Sequence, residues 1–183
     1  MTTLDSLYRQ VMGPSFDTLA PELQIFHSMT GSIQLSGRCS VTGPQSMVGK
    51  ILGWIFGLPQ TTDDVALRFD LDADSRAETW RRHFPGRLMI SRMRVVNGVL
   101  VERLGPVNLH FALEAEQGRL HMLLHKIQVG IISCPRFLIP AVLAEENATP
   151  GKLHFKVAAR LPLLGLLVAY QGYLNIPAEE GKP

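Results

Sequence analysis

The chain predicts an α+β fold: a strongly curved antiparallel β-sheet or calycin-like barrel of about eight or more strands, with N-terminal helices and one short helical insertion after the first strand. Three observations predict it. Apolar and polar residues alternate almost without a break from about Val65 to Asn175, the period of strands buried on one face. Tight-turn signals cut that alternation at Pro85-Gly86, Asn97-Gly98, Gln117-Gly118 and Pro150-Gly151, so that successive strands return antiparallel. Helical periodicity is confined to the N-terminal part, and no strand-helix alternation exists to build a parallel nucleotide-binding sheet. A sheet this long curls or closes, because an exposed apolar edge invites aggregation.

The elements follow in order. Thr3 to Met12 places Leu4, Leu7, Tyr8 and Val11 on one helical face, and Pro21 starts a second short helix to Ser28 from a first-turn position. Ser32 to Val41 alternates as a strand. Met47 to Leu58 reads as a short helix after Gly43-Pro44, weakened by three glycines, and forms a lid over one mouth of the sheet. Lys50, Trp54 and Phe56 give this lid the chemistry of an interfacial segment, so peripheral membrane contact is an alternative role for it. Val65 to Leu71 is a one-sided strand, closed by a turn at Asp72 to Arg76. Thr79 to Phe84, Arg87 to Val96 and Val99 to Leu104 follow, the last two joined by Asn97-Gly98, whose residues suit a type I′ hairpin. Gly105-Pro106 reads as a bulge or corner before Val107 to Ala115, and Arg119 to Val129 comes next. Gly130 to Glu146, with Pro135 and Pro140, is less regular and holds at most an edge strand. Lys152 to Arg160 and Leu163 to Asn175 complete the sheet. A single domain over 1–177 and a disordered tail over 178–183 are expected.

Composition narrows the function. With 183 residues, 46% of them hydrophobic, the chain can bury a substantial core as one domain. Its net charge of +2 and scattered Lys and Arg argue against a nucleic-acid partner. The first residues lack the basic and apolar regions of a signal peptide, and no window approaches the ~20 apolar residues of a membrane span, so cytoplasmic residence is the expectation. Cys39 and Cys134 are far apart and form neither a redox nor a zinc motif.

Familiar chemical motifs are absent or fail on inspection. Asp70-x-Asp72-x-Asp74 resembles the opening of a calcium loop, yet Ser75 stands where the glycine is needed and Arg81 where the bidentate Glu belongs. His121 and His125 would share a metal on a helix, but on a strand they lie roughly 13 Å apart on the solvent phase. No nucleophile elbow, P-loop, dinucleotide fingerprint or zincin motif occurs. Neither metal nor cofactor is expected.

What remains is a polar set on the apolar phase. Trp80, Arg82 and Phe84 share one strand face, and Glu102 alternates with Leu100 and Leu104. Buried charges need partners, so Arg82 and Glu102 either meet as a salt bridge across neighbouring strands or form the polar end of an apolar pocket, the planar guanidinium holding a carboxylate, phosphate or carbonyl. Tyr170 can add a hydroxyl on the same side. Glu146 is a weaker addition because its strand phase is not defined.

The order Leu7-Tyr8 near the start, Trp80-x-Arg82-x-Phe84, Glu102-x-x-Gly105-Pro106, Gly130 with Pro135 and Pro140, Glu146, and Leu161 to Gly172 resembles the bacterial domain family of unknown function DUF4166 over almost the whole chain. The Glu-x-x-Gly-Pro block and the Leu161 to Gly172 block are the most specific parts of the likeness. The resemblance implies a metabolic setting and a possible saccharopine-dehydrogenase-like oxidoreductase partner, because similar domains occur fused to such enzymes. It does not imply an activity.

Three functions are compatible with these residues. In the first, the interior binds a small hydrophobic molecule or lipid, with Trp80, Arg82, Phe84, Glu102 and Tyr170 around it and Trp54 and Phe56 in the lid. In the second, the same cavity is an isomerase- or cyclase-like active site with Glu102 as acid or base and Arg82 stabilising developing negative charge. The third is an interaction domain for an oxidoreductase, with a filled interior.

Overall fold

Ten antiparallel strands close on themselves into a barrel. The computed structural model describes residues 5–135, 137, 139–162 and 164–177. The tail expected at 178–183 and the start of the first predicted helix lie outside the described residues. The helices are α1 (Leu7–Met12), α2 (Pro21–His27) and α3 (Met47–Ile55), with a 3-10 turn over Gly13–Thr18 between the first two. The strands are β1 (Gly31–Thr42), β2 (Thr62–Ala73), β3 (Glu78–Phe84), β4 (Arg87–Val96), β5 (Val99–Leu104), β6 (Val107–Glu116), β7 (Arg119–Val129), β8 (Ile132–Ser133), β9 (Ala141–Thr149), β10 (Lys152–Leu161) and β11 (Gly165–Asn175). Neighbouring strands run in chain order from β1 to β7, then through β9, β10 and β11 back to β1, while β8 flanks only the end of β7.

Because every pairing is antiparallel, the connections fall alternately at two ends. One end carries the turns after β2, β4, β6 and β9, and the N-terminal helices plug it. Ala20 donates from its N–H to the Gly118 carbonyl (2.9 Å), Gln10 Nε2 to the Ser75 carbonyl (2.8 Å) and the Gly151 N–H to Glu22 Oε1 (3.2 Å). Leu7, Tyr8, Phe16 and Leu23 are fully buried in this plug. The other end carries α3, the turns after β3, β5 and β10, and the 130–140 segment; no plug comparable to the N-terminal helices covers it among the described residues. The expected calycin-like closure is thus realised with one helix-sealed end and one end under a small lid.

Local chemistry explains the turns. Asn97 and Gly98 have φ of 51° and 74°, and Gln117 and Gly118 have φ of 51° and 79°, the two left-handed positions that a type I′ hairpin requires. Gly105-Pro106 corrects the expected bulge: Leu104 pairs with Val107, so the dipeptide is a two-residue hairpin turn, opened by Gly105 at φ 57°. Bulges do occur at Cys39/Val41, His110/Phe111 and Ala159/Arg160, and the second moves the inward phase of β7 from Leu120 and Met122 to Ile127. Closure also needs two close backbone crossings. A Cβ on Gly37 would stand 1.8 Å from the Tyr173 carbonyl oxygen, and one on Gly172 would stand 2.1 Å from that of Arg38, so only glycine lets β1 and β11 coil together there.

The largest departure from expectation is β9. Gly130 to Glu146 was expected to hold at most an edge strand, yet Ala141–Thr149 is a full barrel strand paired with β10 along its length and with β7 at Leu120↔Glu146 and His121↔Glu145. Its inward residues are Val142, Ala144, Glu146 and Ala148. Small and charged side chains hide the alternation that bulkier β-formers would have displayed. The seam between β7 and β9 is narrow: those two residue pairs join it near the plugged end, and towards the other end β7 is bordered by β8 and by the Cys134 N–H, which donates to the Ile127 carbonyl at 2.8 Å.

Candidate functional site

The barrel encloses a cavity of ≈ 350 Å³, within the usual range of small-molecule sites. Phe69, Met89, Leu109, Phe111, Met122 and Phe155 contribute to a lining that is otherwise almost entirely apolar, and Leu52, Phe56 and Leu58 reach it from the α3 region. Trp80, Arg82, Phe84, Glu102 and Tyr170 all line it. Trp54 does not line it and is 70% exposed, whereas its lid companion Phe56 does face the interior.

Alternation on β3 makes the polar centre. Glu78, Trp80, Arg82 and Phe84 are buried while Thr79, Arg81 and His83 are not. Arg82 donates through Nη1 to Ser91 Oγ at 2.6 Å, and its guanidinium carbon lies 4.8 Å from the Trp80 ring centre and 5.8 Å from that of Phe69. This aromatic seat holds a planar cation with low reorganisation. A salt bridge to Glu102, one of the two expected arrangements, is not formed. The reason is register: β4 lies between β3 and β5, and Glu102 pairs with Met93, level with Glu78 rather than with Arg82. No carboxylate ion-pairs with Arg82, and no protein hydrogen bond is made by the Glu102 side chain, among the described residues. The two charges therefore open separately into one cavity.

Four participants lie outside the predicted site or at its margin. Glu146 is buried, lines the cavity and accepts from His27 Nε2 at 2.7 Å. His27 comes from the last turn of α2, where Leu23, Phe26 and His27 form the buried face; that i, i+3, i+4 spacing was the available signal. Glu78 shares the phase of Trp80 and accepts from the indole N–H at 2.9 Å. Burial pushes its carboxyl upward, opposed in part by His27 and by the indole hydrogen bond. Tyr8 stacks on His27 with ring centres 3.7 Å apart and donates to the Met93 sulfur at 3.6 Å. Burial raises the Tyr8 phenol well above its ordinary range and raises that of Tyr170. Glu146, His27, Glu78 and Tyr8 gather towards the helix-plugged end, while Tyr170, beside Phe84, and the apolar wall extend towards the other end.

Other expected features resolve as surface chemistry. Asp74 accepts from the Arg76 and Ala77 N–H groups as a turn-former. His121 approaches Glu116 at 3.9 Å and His125 lies beside His110, both outside the barrel. No cluster of metal ligands occurs among the described residues. Cys39 and Cys134 are free thiols, and burial pushes that of Cys39 up to about 11.

The model of a domain of unknown function, DUF4166, matches residues 19–174. The chain belongs to the DUF4166 family. The match includes every cavity residue named above from α2 onward, and α1 with Tyr8 precedes it. No curated protein matches this DUF4166 chain. Among solved structures, the crystal structure of Rv2717c from M. tuberculosis is similar, with 12% identity, a TM-score of 0.45, and coverage of 87% of this chain and 99% of that one.

Proposed function

We propose that this DUF4166 barrel binds a small amphiphilic molecule, with its apolar body in the barrel and its polar end against Arg82 and Glu102. The observation that carries this reading is the combination of a mostly apolar, ≈ 350 Å³ cavity with, among the described residues, a guanidinium that has one hydrogen-bond partner and a Glu102 carboxyl that has none. Arg82 is buried and Glu102 half-buried; polar groups withdrawn from water are normally satisfied, and a ligand head would satisfy both. Charge balance selects the head. A free anion would meet Arg82 but also face Glu102 and Glu146, whereas a neutral head that accepts from Arg82 and donates to Glu102, such as a hydroxy-carbonyl or a primary amide, suits both.

The test is loading with a matched series of long-chain amides, alcohols and acids, followed by native mass spectrometry. Stoichiometric retention of the amide by wild type and at least tenfold weaker retention by Arg82→Met are expected. Equal retention by the two proteins would remove Arg82 from the site, and no retention of any member would overturn the reading.

The unpartnered carboxylate of Glu102 also favours a second reading, an isomerase-like enzyme in which it moves a proton beside a carbonyl held by Arg82. Preserved ligand affinity with lost turnover in Glu102→Gln would support this chemistry, and unchanged turnover would eliminate it.

A further inference from the structure

The helix α3 is built inside out. A lid over an apolar barrel ordinarily turns its greasy face inward. Here the buried positions are Gly49 and Gly53, packed against Pro44, while Met47, Ile51 and Trp54 are 75%, 58% and 70% exposed. Across the same end of the barrel, Ile131, Ile132 and Phe137 are 97%, 72% and 74% exposed. Single exposed apolar residues are ordinary, but here two separate segments at one end of the barrel both carry them, the pattern of a docking surface. Ile132 belongs to β8, which borders the end of β7 on this side of the barrel.

Charge is distributed along the same axis. Residues 43–62, 85–95, 103–113, 125–143 and 158–177 contain no Asp or Glu, and Lys50, Arg87, Arg103, Lys126 and Arg160 lie among them near the open end. The acids at that end are Asp63, which accepts from Ser40, and Asp64, which is ion-paired with Arg38. Most other acids, from Asp70 to Asp74 and at Glu114, Glu116 and Glu145, belong to the plugged half. A second copy docking face to face would oppose one basic ring to another. A bilayer with anionic headgroups complements both the apolar tip and the basic ring, and Lys50 and Trp54, one helical turn apart, have the pairing of an interfacial anchor.

We propose that the open end docks on an anionic phospholipid surface, with α3 and the exposed Ile131, Ile132 and Phe137 entering the headgroup boundary. Docking presents the cavity mouth to the lipid phase. An apolar molecule can then pass between bilayer and barrel without crossing water.

The experiment is co-sedimentation of the full chain with phosphatidylcholine vesicles and with mixed phosphatidylcholine–phosphatidylglycerol vesicles, read together with Trp emission. Wild type is expected to bind the mixed vesicles, to bind the neutral ones weakly, and to show a blue shift that Trp54→Phe removes while Trp80 remains. Lys50→Gln should weaken partitioning by about fivefold, and the double variant Ile51→Glu with Trp54→Glu should abolish it. Both altered side chains are exposed, and an unchanged melting profile checks that the barrel persists. Failure of wild type to bind mixed vesicles would overturn the proposal, as would unchanged binding by the double variant. Self-association without lipid that Trp54→Glu abolishes, together with indifference to vesicles, would assign the surface to a second copy and also overturn it. Arg82→Met separates the two functional readings: it is expected to lose the cavity ligand and still bind vesicles.

Discussion

At its plugged end the barrel is sealed by α1 and α2, which bury Leu7, Tyr8, Phe16 and Leu23 completely and fasten themselves to the turns at Ser75, Gly118 and Gly151. At its open end α3 buries two glycines and exposes Met47, Val48, Ile51, Trp54 and Ile55, with Leu52 alone of its large apolar side chains reaching the cavity. The same chain thus treats its helices in opposite ways. Burying a large apolar side chain stabilises by about 2 kcal/mol, so the first end concentrates stability and the second contributes little. Such a division lets the mouth rearrange without unfolding the barrel, which is what exchange of a ligand requires. The polar groups follow this division in part: Glu78, Glu146 and His27 are held in the rigid half, while Arg82 pairs with Met89, nearer the open end of β3.

The comparison predicts unequal responses to substitution. Gly172→Val should be the most damaging, since its Cβ has the Arg38 carbonyl oxygen and Cys39 Cα within 2.8 Å or less; a loss of about 3 kcal/mol is expected in urea unfolding. A loss below about 1 kcal/mol would mean that the β1–β11 crossing relaxes easily. Glu78→Gln should act more gently and through pH. Burial raises the folded-state pKa of Glu78 above its unfolded value, so between those values the unfolded chain binds fewer protons and stability falls as pH rises. The wild type should therefore lose this contribution as pH climbs through the raised pKa, and the variant should show a flatter profile, with a shift on the order of 1 kcal/mol above it. An identical pH profile for the two proteins would show that Glu78 is solvated in solution. Trp54→Ser should change stability least, within about 0.5 kcal/mol. A melting shift as large as that of a core substitution would contradict the division between the two ends.

Much of this architecture was legible because it is local. Period-two alternation put Trp80, Arg82, Phe84 and Glu102 on the inward phase, and all four line the cavity. Asn97-Gly98 carries its own left-handed preference, so β4 and β5 were delimited to the residue. The misses have physical causes as well. In β9 the inward positions are filled by Ala144, Glu146 and Ala148, which present no hydrophobic contrast, and the strand is recognisable only through its partners on β10 and β7. Glu78 was excluded because the strand was started one residue late. His27 was overlooked because a histidine on a short amphipathic helix carries no sequence sign of the carboxylate it will meet.

By itself the sequence determined the turns, the inward phase of most strands, and the isolation of a few charges on an apolar surface, because these depend on neighbours within a few residues. Tertiary structure alone decided that Arg82 and Glu102 stand apart, since the intervening β4 sets their register. It also decided that His27 meets Glu146 across 119 residues of chain. Closure of a barrel brings distant segments together, and the partner of a buried polar group is then chosen by register and helix docking, quantities that no local pattern encodes.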